Sequence, residues 1–533
     1  MDLFKNKKFK YGTLGVAFTA AVIALIVIVN IIFSALASNF SWYFDMTSEN
    51  LYNLSDATKN YLDGIDGTYN DLTIYFFADA DKLTQAASSL NIAGARTLWG
   101  MKYIYSLAKE LDERYDFIKV GHIDLTKDPD KVKQIIGEEY FNSLKLAGYY
   151  ILIDNYTVER DTDGNMITGA DGNPVYRHDF RLFGRDSFYA FNYGGSSTTV
   201  DAFKGDYRFA ASIMALCSEN LPTAYLISGH GEKIGPYTVG QQNVDYGNAQ
   251  YFCQLLIDCG FRIKKIDLQH EDFEKQKNAV AIIYSPQTDY SSNTGVESHN
   301  ELGKLSGFLS ERGHSLMVLF DYGAQSLPGL EGFLKENCGI TVENAQLKDS
   351  GENSVDIPMQ QIVGKLNTDG EGAGAELAKR ISDAGISGKI VFPSARPLMI
   401  ESGKGTGAIC LVPSTTYGMS DGEKKEYSEG SAALATLTRT VTGSYIFCIG
   451  TSYATDVYFA DNAYYADREM FIGALDMMSE EDAPFNVEYR IIKGEGLDLT
   501  KSQATAAMVI ISAAIPVAVL LTGTVVFIRR RHS

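Results

Sequence analysis

Five residues, Ser228-Gly229-His230-Gly231-Glu232, follow directly on the apolar run TAYLI. Histidine changes its charge near neutral pH, so His230 would suit a general base or a metal ligand, with Glu232 as its orienting partner. The flanking glycines suit equally a tight exit from a strand, and a plain turn is the competing reading. Two further acids, Asp289 and Glu297, fall after the apolar run AVAIIYSP and before the pattern ELGKLSGFL. At a helix start, Glu297 would be favoured by the helix dipole with no ligand present.

Other chemistries fail on spacing. Gly450-Thr451-Ser452-Tyr453-Ala454 comes close to a nucleophile elbow but lacks the second glycine, and the next histidine after it is His532. Cys217, Cys253, Cys259, Cys338, Cys410 and Cys448 form no CxxC pair. They are read as buried small hydrophobes rather than as disulfides, zinc ligands or a thiol nucleophile. Glu159, Asp161, Asp163 and Gly164 follow the start of a calcium-loop register, but Ala170 stands where a bidentate Glu is needed, which favours a plain hairpin. Each Gly-Lys pair is followed by Leu305, Leu366, Ile390 or Gly405 instead of Ser or Thr, so the chain carries no phosphate loop. No metal and no cofactor is implied, and any energy source lies on another polypeptide.

The elements that must position these residues alternate. DLTIYFF, a helical pattern in WGMKYIYSLAKELDERY and the run FIKVGHIDL make a strand–helix–strand unit. Two Asp-Gly-Asn-type turns within 156–180 signal hairpins. From residue 206 onward, FAASIMALC, TAYLIS, QYFCQLLIDCG, FRIKKIDL, AVAIIY, ELGKLSGFLS and HSLMVLF alternate helix and strand, and SYIFCI closes the series. Short continuous apolar runs of this kind predict strands covered on both faces, hence a doubly wound, mostly parallel α/β sheet with a smaller N-terminal α/β domain. In such a sheet ligands bind beyond the carboxyl ends of the strands, where SGHGE falls. Residues 340–440 give only loop-like stretches and candidate strands in LKDSGENSVDI and KIVFPSARPL.

At 533 residues the chain exceeds a single core, and its net charge of −19 without a clustered basic patch excludes nucleic acid as a partner. Residues 11–37 and 505–528 carry no charge and are long enough to cross a bilayer, with lysines before the first and Arg529, Arg530 and Arg531 after the second. The positive-inside bias then predicts two transmembrane helices in a cell membrane. Residues 1–10 and 529–533 would be cytoplasmic, and the bulk extracytoplasmic: 38–205 as the first domain, 206–480 as the second, 481–504 as a membrane-proximal segment.

YLISGHGE, then AIIYSPQTDYSSNTGVESHNELGKLSGFLSERGHSLMVLFDY, then CIGTSYATD, with LYNLSDATKNYLDGID near the N-terminus, arrive in the order seen in the GldG-type family. The chain resembles these auxiliary components of ABC-type transport systems, first associated with gliding motility. The resemblance implies a flavodoxin- or amidotransferase-like domain without catalytic residues, tethered beside an ABC-type permease and a separate cytoplasmic ATPase. It implies a non-enzymatic accessory subunit that binds a substrate, a cell-wall component or the permease, with Ser228, Gly229, His230, Gly231, Glu232, Asp289 and Glu297 lining the crevice. The rivals are a hydrolase or transferase using His230 and Glu232, and a purely structural scaffold.

Overall fold

The structure, a computed structural model, describes residues 51–492 except 86–99, 162–163, 193–198, 236–248, 293–299, 350, 352, 356–359, 387 and 402–406, together with Ala24 and Ile28. In the N-terminal part, β1 (Asn70–Phe76) pairs in parallel with β2 (Ile118–His122) and antiparallel with β3 (Tyr150–Val158), which continues to β4 (Tyr176–Gly184). Alternation in β1 sends Leu72, Ile74 and Phe76 into the core. The predicted helix is Met101–Arg114, whose Ile104, Leu107, Ala108 and Leu111 are buried. Between β3 and β4 the bridges Arg160–Met166 and Thr168–Pro174 form the expected hairpin turns.

A further small sheet joins β5 (Tyr189–Asn192) and β6 (Thr199–Phe203) to Arg490–Ile491. The main sheet holds β7 (Thr223–Ser228), β8 (Arg262–Asp267), β9 (Ala279–Tyr284) and β10 (His314–Leu319). Its later members include β11 (Ala433–Arg439) and β12 (Tyr445–Ile449). Five strands run parallel in the order β8-β7-β9-β10-β12, the second-first-third-fourth-fifth order of flavodoxin-like sheets. Successive residues feed opposite layers: Leu226, Ile282, Met317 and Phe447 pack in one core, Tyr225, Ile283, Val318 and Cys448 in the other.

Two expectations are corrected. The sheet is not mostly parallel, because half of its ten strands, from β11 outward, pair antiparallel. These extra strands come from short segments within 340–440, such as Ile340–Val342 and Leu398–Ile400, too short to show a period. The two transmembrane helices, the membrane location and the division into cytoplasmic ends and extracytoplasmic bulk are also overturned. Among the described residues no helix is long and apolar enough to cross a membrane. The longest described helix, Met101–Arg114, has 14 residues, about 21 Å at 1.5 Å per residue against a hydrocarbon core of about 30 Å, and carries charged side chains. Segments 11–37 and 505–528, on which the spans were placed, lie outside the described residues apart from the helical Ala24 and Ile28.

Near both limits of the described chain, one buried carboxylate gathers the backbone. Ser55 caps the helix Asp56–Leu62 through Thr58 N–H, while its own N–H donates to Asp206 Oδ1 at 2.6 Å. Arg490 pairs with the same Asp206 and donates to the Asn53 carbonyl at 2.5 Å.

Candidate functional site

The parallel strands reverse their winding between β7 and β9, and there the crevice of a doubly wound sheet is expected. The loops leaving those two strands fill it. Gly229 and Gly231 take φ of +117° and +85°, and a Cβ on Gly231 would stand 2.9 Å from the Gln287 Cβ. This turn lets the His230 carbonyl accept from Gln287 N–H at 2.7 Å and Thr288 N–H at 3.1 Å, stitching the two loops together.

His230 itself is 1% exposed. Its Nε2 lies 3.1 Å from Glu301 Oε1, and its Nδ1 lies 3.3 Å from Glu232 Oε1 without the alignment of a hydrogen bond. The ring stacks on Tyr290 with centroids 3.8 Å apart, and the Tyr290 hydroxyl donates to Glu232 Oε1 at 2.6 Å. Ser291 donates both N–H and Oγ–H to Glu301 Oε2 at 2.9 Å. Burial pulls the His230 pKa down, but the facing Glu232 and Glu301 carboxylates outweigh it and push it up to about 9. For Glu301, burial works upward and is outweighed by His230 and Ser291, which hold the carboxyl below its usual range. The imidazole is thus enclosed between two acids, which favour its charged form.

The other predicted residues separate. Ser228 ends β7 and donates Oγ–H to the Ile266 carbonyl at 3.0 Å. Asp289 turns away from the crevice: its carboxylate accepts Gly329 N–H at 2.6 Å and Leu330 N–H at 3.0 Å, capping the helix Pro328–Cys338. Glu297 lies outside the described residues. Reasoning from sequence brought together His230 and Glu232 and missed Glu301, Tyr290 and Ser291. The one signal for Glu301 was its place as the first residue of the helix Glu301–Ser310.

A second polar cluster, also missed, occupies the carboxyl ends of β9, β10 and β12. Asp321 accepts the hydroxyls of Ser285 and Ser452, and Ser452 N–H at 3.2 Å. Burial raises the Asp321 carboxyl above the ordinary range despite those hydrogen bonds. Ser285 holds a left-handed φ of +51°, a conformation that costs a non-glycine residue about 1–3 kcal/mol and is retained where surrounding contacts fix it. Ser452 of the elbow-like GTSYA therefore faces a carboxylate, with no described histidine among its partners. Beside it the surface turns aromatic: Tyr322, Tyr453, Tyr458 and Tyr464 are exposed around the ends of β10 and β12, with the aliphatic Val457 among them.

The chain matches no family model and none of the curated proteins. Among solved structures it is similar to one described as "mmIFT52 N-terminal domain", at 14% identity over 49% of this chain and 99% of the other, with a TM-score of 0.33. A likeness of that score carries no argument about function.

Proposed function

We propose that this protein is a non-catalytic accessory subunit of an ABC-type transport system, working by binding rather than by bond chemistry. The observation that supports this most is the sealing of His230. A general base must reach the proton it removes, within about 3 Å or through one water. Here both ring nitrogens face carboxylates and the ring face lies under Tyr290. The resemblance to GldG-type components in the order of the strand-end motifs supplies the transport partners, a permease and a separate ATPase. The exposed aromatic surface beside the strand ends is a fitting place for a ligand or partner.

The test is co-purification of the tagged full chain in mild detergent from its own cells. An ATPase subunit and a multi-span permease are expected to elute with it. Recovery of the chain alone in several detergents would overturn the assignment, as would a turnover activity that His230→Gln abolishes while the variant stays folded.

A further inference from the structure

The structure assigns an organic-cation site, taking an alkylated ammonium group, to the groove formed by Tyr453, Asp456, Tyr458, Phe459, Asn462 and Tyr465 beyond the end of β12. The groove has a volume of about 480 Å³ and no lysine or arginine in its lining. That volume exceeds a bare trimethylammonium head and leaves room for the body that carries it. Ring faces attract an ammonium through their quadrupole, most strongly when several rings and a carboxylate surround it. Here four of the lining side chains are aromatic and one is acidic.

The walls are held in place without a ligand. Asp456 Oδ1 accepts Tyr458 N–H at 2.9 Å, starting the turn Val457–Ala460. Asn462 accepts Tyr464 N–H at 2.9 Å and donates to the Tyr458 carbonyl at 3.1 Å, and Phe459 stacks on Tyr465 with centroids 6.0 Å apart. Asp456 Oδ2 has no hydrogen-bond partner among the described residues, so one carboxylate oxygen remains for a cation. Tyr458 is 61% exposed and Tyr453 43%, ring surface left open to water where a guest would cover it.

This names the ligand class of the binding function proposed above, and its measurement needs no transport partner. Choline chloride is titrated into the full chain by calorimetry at constant ionic strength, with 3,3-dimethylbutan-1-ol as the uncharged isostere. Saturable choline binding is expected, with the isostere at least tenfold weaker. Tyr458→Ala should weaken choline at least tenfold with an unchanged unfolding midpoint, whereas Tyr176→Ala, a similarly exposed ring on β4 outside the lining, should leave it unchanged. Equal binding of choline and its isostere, or no saturable choline binding, overturns the cation site. Failure here with the ATPase and permease still co-purifying leaves the accessory-subunit reading intact; the reverse result leaves the cation site intact.

Discussion

His230 keeps its proton because Glu232 and Glu301 face its two nitrogens, and this ties stability to pH. Its folded pKa of about 9 lies above the ordinary 6.5, so its contribution is complete below pH 6.5 and is lost as pH rises through 9. A shift of that size corresponds to on the order of 3 kcal/mol. Glu301, held low, acts in the opposite sense: its contribution is lost as pH falls through its depressed value. Urea midpoints of the wild type should therefore fall between about pH 6.5 and about pH 9, while His230→Gln starts lower and stays flat across that window. A flat wild-type curve would sink the charged-histidine assignment. From sequence, the glycines flanking His230 marked the corner correctly, but burial was invisible, because the groups that enclose it, Tyr290 and Glu301, stand 60 and more positions away along the chain. A local motif names a turn; only the fold decides whether its side chain meets solvent or an acid.

Two element-scale contacts carry sharp expectations. Asp289 caps the helix Pro328–Cys338 from a separate loop, so Asp289→Ala should cost about 1–2 kcal/mol and speed amide exchange at Gly329 and Leu330. Unchanged exchange at those amides would remove the cap. Gly450 leaves β12 so close to a neighbouring segment that an added Cβ would stand 2.0 Å from the Arg396 carbonyl oxygen. Gly450→Ala should cost about 3 kcal/mol or more, read as a large drop in the unfolding midpoint, since backbone cannot yield as a side-chain tip can. Elements with a strong period were legible: AVAIIY and HSLMVLF became the fully buried β9 and β10. The antiparallel half of the sheet was not, because Leu398–Ile400 and Ile340–Val342 are three residues long and find their partners far along the chain. Polarity at strand ends was equally silent, since Asp321 and Ser285 acquire meaning only when β9 and β10 lie side by side.

Across the whole molecule, all six cysteines are free and buried. Burial pushes the Cys217 and Cys253 thiols up to about 12 and carries Cys259, Cys410 and Cys448 upward as well. Since the thiolate is the reactive form, a thiol reagent should label the native protein slowly at every site and label all six once denaturant is added. Rapid stoichiometric labelling before unfolding would contradict the burial. The joint at Asp206 has a mechanical consequence. Asn53 and Arg490 touch there, so the intervening polypeptide forms a nearly closed ring whose entry and exit share one doorway. A tug on the two flanks in opposite directions would strain that doorway first, prising Arg490–Ile491 from β6 one rung at a time, while the main sheet stays unloaded until the doorway gives way.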